Sequence, residues 1–122
     1  MSEKTTPDQQ KLLEAFAEEA RRRCDVIAAG LATETTDFET MRAEAHALRG
    51  TAGAVGLRRL AELAGLMESD LGEAKKTGTI RGGRSHQIAD AAKALAEGAS
   101  AASKGEEEPP DVGRSLAQLF SP

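Results

Sequence analysis

Apolar positions recur three and four residues apart in five segments of this chain, and no segment shows the period-two alternation of strands. In the first, Leu13, Phe16, Ala20, Cys24, Ile27 and Leu31 form one stripe. Thr6-Pro7-Asp8-Gln9 reads as its start: a threonine cap, a proline at the first helical position and a glutamine that completes a capping box. The helix should run to about Ala29, with Gly30 as its stop. Thr36-Asp37-Phe38-Glu39 reads as a second capping box. It opens a helix whose stripe is Met41, Ala45, Leu48, Ala52 and Val55, with Gly53 and Gly56 bracketing the end.

The third helix is expected from about Leu57 to Lys76, with Leu57, Leu60, Leu63, Ala64, Met67 and Leu71 facing inward. Lys75 and Lys76 suit the negative end of its dipole, and Gly78 suits the stop. Gly65 and Gly72 weaken this helix and mark close helix contacts. Ser85 is the expected cap of a fourth helix reaching about Ser103, with a thin stripe of Ile88, Ala91, Ala92, Leu95, Ala99 and Ala102. Residues 104–110 are an acidic, proline-containing linker. Beyond it, Asp111 is placed to cap a short last helix, Val112 to Phe120, packing through Val112, Leu116, Leu119 or Phe120. Residues 1–5 read as a disordered polar tail.

The expected fold is therefore all-α: an up-down antiparallel four-helix bundle with a short fifth C-terminal helix, one domain across residues 1–122. With three Phe and no Trp or Tyr, the core must be Leu, Ala, Val, Ile and Met, a composition that favours closely packed helices. A net charge of −4 argues against nucleic acid as a partner of the whole surface. The single cysteine, Cys24, lies on an apolar stripe and reads as a small buried hydrophobe. Two distant histidines and that cysteine make a poor ligand set, so no metal and no cofactor are expected. No apolar run approaches the ~20 residues of a membrane span, and the N-terminus has no signal-peptide h-region. A cytoplasmic monomer is the expectation. The run Arg21-Arg22-Arg23 reads as a solvated face balanced by Glu18 and Glu19.

The informative stretch is Ala45-His46-Ala47-Leu48-Arg49-Gly50-Thr51-Ala52-Gly53. At about 100° per residue, His46 falls off the centre of the buried stripe, on the side of Arg42, Arg49, Gly50 and Gly53. Arg49 and Gly50 are its neighbours at i+3 and i+4. Each interior glycine costs about 1 kcal/mol relative to alanine, so two on one face point to close approach by something else. His86, in the first turn of the fourth helix, has neither a cation at i+3 nor a glycine at i+4, and reads as a surface residue.

His46-Ala47-Leu48-Arg49-Gly50-Thr51-Ala52-Gly53, followed by Val55-Gly56, resembles the signature of histidine-containing phosphotransfer domains, H-x-L-K/R-G-S/T/A-A-x-x-x-G. The likeness is greatest to the phosphorylated N-terminal domain of chemotaxis-type histidine kinases and runs from about Ala45 to Leu71. Arg49 stands where lysine is commoner, with the charge kept, and no kinase region follows. The resemblance implies a helical bundle that takes a phosphoryl group on His46 from a histidine kinase and passes it to the aspartate of a response-regulator receiver domain. It also implies a supporting glutamate on the next helix, and Glu68 occupies that place. If helices two and three form an antiparallel hairpin turning near Gly56, His46 lies 10 residues before the turn and Glu68 12 after it. A rise of about 1.5 Å per residue then puts them at nearly one height.

In this reading His46 is the phosphoacceptor, Glu68 orients its imidazole, and Arg49 supplies charge to the phosphoryl group. Arg42, Gly50 and Gly53 serve partner docking. The chain has no phosphate-binding G-x-x-x-x-G-K-[ST] loop and no kinase glycine loop, so ATP chemistry belongs to a partner. The chain would be a carrier rather than an enzyme, free-standing or a domain of a larger kinase. Two other readings compete. The H-box of a sensor kinase also reads H-x-L-R but continues Thr-Pro, where this chain has Gly50-Thr51. A non-catalytic helical adaptor would bind a kinase or regulator without being phosphorylated.

Overall fold

A computed structural model describes residues 6–33 and 37–121 of the chain. Within them lie five helices and no strand: α1 (Pro7–Leu31), α2 (Phe38–Ala54), α3 (Arg58–Thr77), α4 (Arg84–Ser103) and α5 (Pro110–Phe120). The first four pack in a ring, α1 on α2 and α4, α3 on α2 and α4. Every neighbouring pair is antiparallel. Gly30 meets Met41 while Thr51 reaches Glu19. Arg42 lies on Gly72 while Arg49 lies on Gly65, and Leu60 meets Gly98 while Asp70 meets Arg84. This is the expected up-down bundle. The fifth helix closes the seam of α3 and α4.

The core is aliphatic and alanine-rich. Ile27, Met41, Leu48, Leu63, Met67, Leu71, Ile88, Leu95 and Val112 are its largest fully buried side chains. Helices approach closely where small residues meet large ones. A Cβ on Gly98 would come within 2.9 Å of Leu60 Cδ2 and 3.1 Å of Val112 Cγ2, so α3, α4 and α5 converge at that point. Cys24 is buried as expected, and desolvation pushes its thiol up to about 12.

The helix starts and stops follow local chemistry, with corrections. Thr6 and Gln9 form the expected capping box, and Gly78 ends α3 in the left-handed conformation at φ 82°. Gly30 is not a stop. It lies inside α1, where a Cβ would come within 2.7 Å of Met41 Sδ, so close packing accounts for it. The cap of α2 is Asp37, whose carboxylate accepts from the Thr40 N–H at 3.0 Å. Thr36 and the tail of residues 1–5 lie outside the described residues. Gly83, with φ 81°, caps α4 in place of Ser85, which lies inside the helix. Pro109 precedes α5 in the position expected of Asp111, which instead sits in the first turn. Val112 and Leu119 are buried, but Phe120 is 81% exposed and stands outside the core.

Arg84 ties the fifth helix down. Its side chain is only 9% exposed, and its guanidinium donates to the carbonyls of Gln118 (3.0 Å) and Ser121 (2.8 Å) and pairs with Asp70 at 3.1 Å. These carbonyls lie at the C-terminal end of α5, where backbone acceptors lack intrahelical donors. Among the described residues no helix is long and apolar enough to cross a membrane.

Candidate functional site

Three side chains of α2 at i, i+4 and i+7, Arg42, His46 and Arg49, line up along the seam with α3. Across the seam, Gly65, Glu68 and Gly72 line up in the opposite sense. The glycines leave the backbone of α3 bare on either side of Glu68. The stem of Arg49 crosses at Gly65, where a Cβ would stand 3.3 Å from Arg49 Cδ. The stem of Arg42 crosses at Gly72, with the corresponding distance 3.8 Å. Gly65 does mark a close contact, whereas Gly72 stands at an ordinary packing distance, and the groups that approach both are arginine stems rather than helix backbone.

Glu68 is the hub. His46 Nδ1 lies 2.9 Å from Glu68 Oε2, and Arg42 Nη1 lies 3.4 Å from the same oxygen. Arg49 Nη1 faces Oε1 at 3.4 Å in an ion pair without hydrogen-bond geometry. The Glu68 side chain is 16% exposed, whereas His46 is 59% exposed. A carboxylate only accepts hydrogen bonds, so its partner nitrogen carries the proton. That places the neutral ring's proton on Nδ1 and leaves the Nε2 lone pair free.

The outer face of α2 beside the ring is low. Nothing lies within 4 Å of a Cβ built on Gly50 or Gly53, and Ala43 and Ala54 are exposed. Neither Gly50 nor Gly53 is required by packing. This bare strip differs from the Gly65 and Gly72 contacts, which are occupied. To one side, Arg23 bridges Glu19 (2.8 Å) and Glu44 (2.7 Å), and Arg21 pairs with Glu18. The arginine run is thus the balanced face expected of it.

The structure brings all six expected residues onto one face of the α2–α3 hairpin. It also adds two, Glu39 and Lys75, that the sequence reading had assigned only to helix ends. Glu39 accepts from Arg42 Nε and Nη2, both at 2.9 Å, and pairs with Lys75 at 2.9 Å. Hydrogen bonds from Arg42 and then Lys75 hold its carboxyl down to about 2, and Glu39 in turn raises Arg42. The Glu39 to Arg42 spacing of three on one helix was a visible signal. The reach of Lys75 from α3 was not. His86 is exposed at the start of α4.

No group of three metal-ligating side chains occurs among the described residues. A groove of about 540 Å³ opens between the start of α3 and the end of α4, lined by Leu57, Arg59, Leu60, Gly98 and Glu108 among others. None of its lining residues belongs to the histidine face. The histidine face itself is an open surface with a nucleophilic nitrogen, two cations and a strip without side chains. Such a surface suits contact with another macromolecule better than enclosure of a small substrate.

Among curated proteins, none matches this chain. The family model of the Hpt domain matches residues 11–103, from the second turn of α1 to the end of α4. The match spans both His46 and Glu68. With three quarters of its length matched and its bundle of helices in place, the chain belongs to the Hpt domain family, the histidine phosphocarrier modules of phosphorelays.

Proposed function

We propose that this chain accepts a phosphoryl group on His46 Nε2 from a histidine kinase and delivers it to the aspartate of a response-regulator receiver domain. The observation that supports this most is the exposed imidazole whose Nδ1 is engaged by Glu68, which leaves Nε2 as the uncommitted ring nitrogen beside the open strip at Gly50 and Gly53. In the first step the Nε2 lone pair forms the N–P bond as the donor's bond to phosphorus breaks and its leaving group takes the electron pair. The ring becomes cationic, and Glu68, on its Nδ1–H, stabilises that charge as carboxylates do for other imidazoles. In the second step an aspartate oxygen attacks phosphorus and the N–P electron pair returns to Nε2.

Phosphoryl transfer is dominated by positioning and charge stabilisation. Arg49, half exposed and one turn from His46, supplies positive charge close to the ring. Gly50 and Gly53 admit the partner's acidic pocket to the ring. The nucleotide and metal chemistry belongs to the partners, as the missing phosphate-binding motifs imply.

Incubation with a cognate kinase and ATP tests the proposal. The wild-type chain takes up an acid-labile, base-stable label and loses it to a receiver domain, and His46→Gln takes up none while keeping its helix content. Label on His46→Gln would overturn the site, and an unlabelled wild type that still binds the kinase would make the chain an adaptor.

A further inference from the structure

The two arginines that face Glu68 differ in how they are held. Arg42 has a locked fork: Nε and Nη2 donate to the two oxygens of Glu39, Nη1 is left for Glu68 Oε2, and the side chain is 30% exposed. Its anchor is itself anchored, since Lys75 of α3 pairs with Glu39. Arg49 has one ion pair at 3.4 Å, no hydrogen bond to the carboxylate, and 52% exposure. The bidentate geometry of Arg42 and Glu39 is the strong, directional kind. Moving Arg42 breaks two hydrogen bonds to Glu39 as well as its contact with Glu68, whereas moving Arg49 gives up only its ion pair with Glu68.

Glu68 needs such a fixed partner. Its carboxylate is mostly buried between two helices, and a buried charge is costly unless paired. It can also direct the imidazole only if its own oxygens are fixed. Oε2 is the oxygen that accepts from His46 Nδ1, and Oε2 is the oxygen that Arg42 holds. The Arg42 stem runs past Gly72, where a Cβ would stand 3.8 Å from Arg42 Cδ, an ordinary packing distance.

Resting on the proposed function for the identity of the reacting nitrogen, we infer that Arg42 is a positioning residue: clamped by Glu39, it fixes the Glu68 carboxylate on His46 Nδ1 and thereby sets the tautomer, while Arg49 is the mobile cation that turns from Glu68 to the incoming phosphoryl group. Arg42 then acts on the reaction through Glu68 and touches no reacting atom.

The imidazole nitrogens report this directly. In ¹⁵N NMR spectra of the neutral ring, wild-type His46 should be mainly the Nδ1–H form. Arg42→Gln shifts the ratio toward the Nε2–H form, Arg42→Lys shifts it less, and Glu39→Gln shifts it in the same direction. Arg49→Gln leaves the ratio at the wild-type value. Phosphoramidate is the matching chemical probe, because this small donor requires no docking surface. Nε2 forms the N–P bond as the donor's P–N bond breaks, and ammonia departs with the electron pair and a proton from solvent. Arg42→Gln should slow this labelling about 10-fold, the lower end of what loss of an outer-shell partner costs. A folded Arg42→Gln chain with the wild-type tautomer ratio overturns the inference. Failure of phosphoramidate to label wild-type His46 would instead count against the carrier function and leave the tautomer result standing.

Discussion

His46 Nδ1 and Glu68 Oε2 meet at 2.9 Å although 22 residues separate them, because α2 and α3 fold back on each other with the two positions level. One partner is mostly exposed and the other mostly buried. The buried member can therefore hold the exposed one without shielding it, which the proposed role of His46 requires.

Glu68→Ala should slow phosphorylation of His46 without eliminating it. Positioned proton-handling groups contribute roughly 10²–10⁴-fold, and a loss of about 100-fold is expected, since Nε2 keeps its lone pair in part of the ring population. Initial rates of label uptake measure it. A rate equal to wild type would remove Glu68 from the site.

Gly50 separates fold from function. Nothing lies within 4 Å of a Cβ at this position, so the bundle has no packing need for glycine there. Gly50→Ala should raise stability by about 1 kcal/mol through helix propensity, read from urea denaturation. Gly50→Leu should also fold, yet slow transfer to and from protein partners more than labelling by phosphoramidate. Equal effects on both donors would contradict a docking role.

Arg84→Met should loosen α5. It removes the ion-pair partner of Asp70, already raised by desolvation and then held only by the charge of Arg81, and leaves the Gln118 and Ser121 carbonyls without their donor. Breaking a buried pair from one side costs about 3–5 kcal/mol. Asp70 retains some exposure, so the lower end, about 3 kcal/mol, is expected from the same comparison. Hydrogen exchange of α5 amides should accelerate more than that of α2. Uniform acceleration across the bundle would show that α5 does not open separately.

The ion pairs of Glu39 give a pH signature. Its folded carboxyl is held at about 2, below the ordinary 4.5, so the stabilisation is complete above pH 4.5 and is lost as pH falls from there toward 2. The side chain is about half exposed, so the effect is small and salt should erase it. The thermal midpoint of Glu39→Gln should be flatter across that window than that of the wild-type chain. Parallel curves would show that Glu39 contributes nothing to acid stability.

Sequence alone determined the number and type of helices, the Thr6 capping box, the Gly78 stop, and the placement of His46 off the buried stripe beside Arg49 and Gly50. All of these rest on periodicity and on chemistry within about four residues, where a helix makes neighbours predictable. Caps were less legible, because Asp37 stood next to Thr36 and Gly83 two residues from Ser85, and local sequence offers several groups able to do the same work.

Tertiary packing decided the rest. Only the register of α2 against α3 shows that Gly65 and Gly72 are seats for arginine stems, that Gly30 makes room for Met41, and that Lys75 steadies Glu39. Contacts between helices depend on how two faces slide into register, and that register is set by the whole core rather than by any one segment.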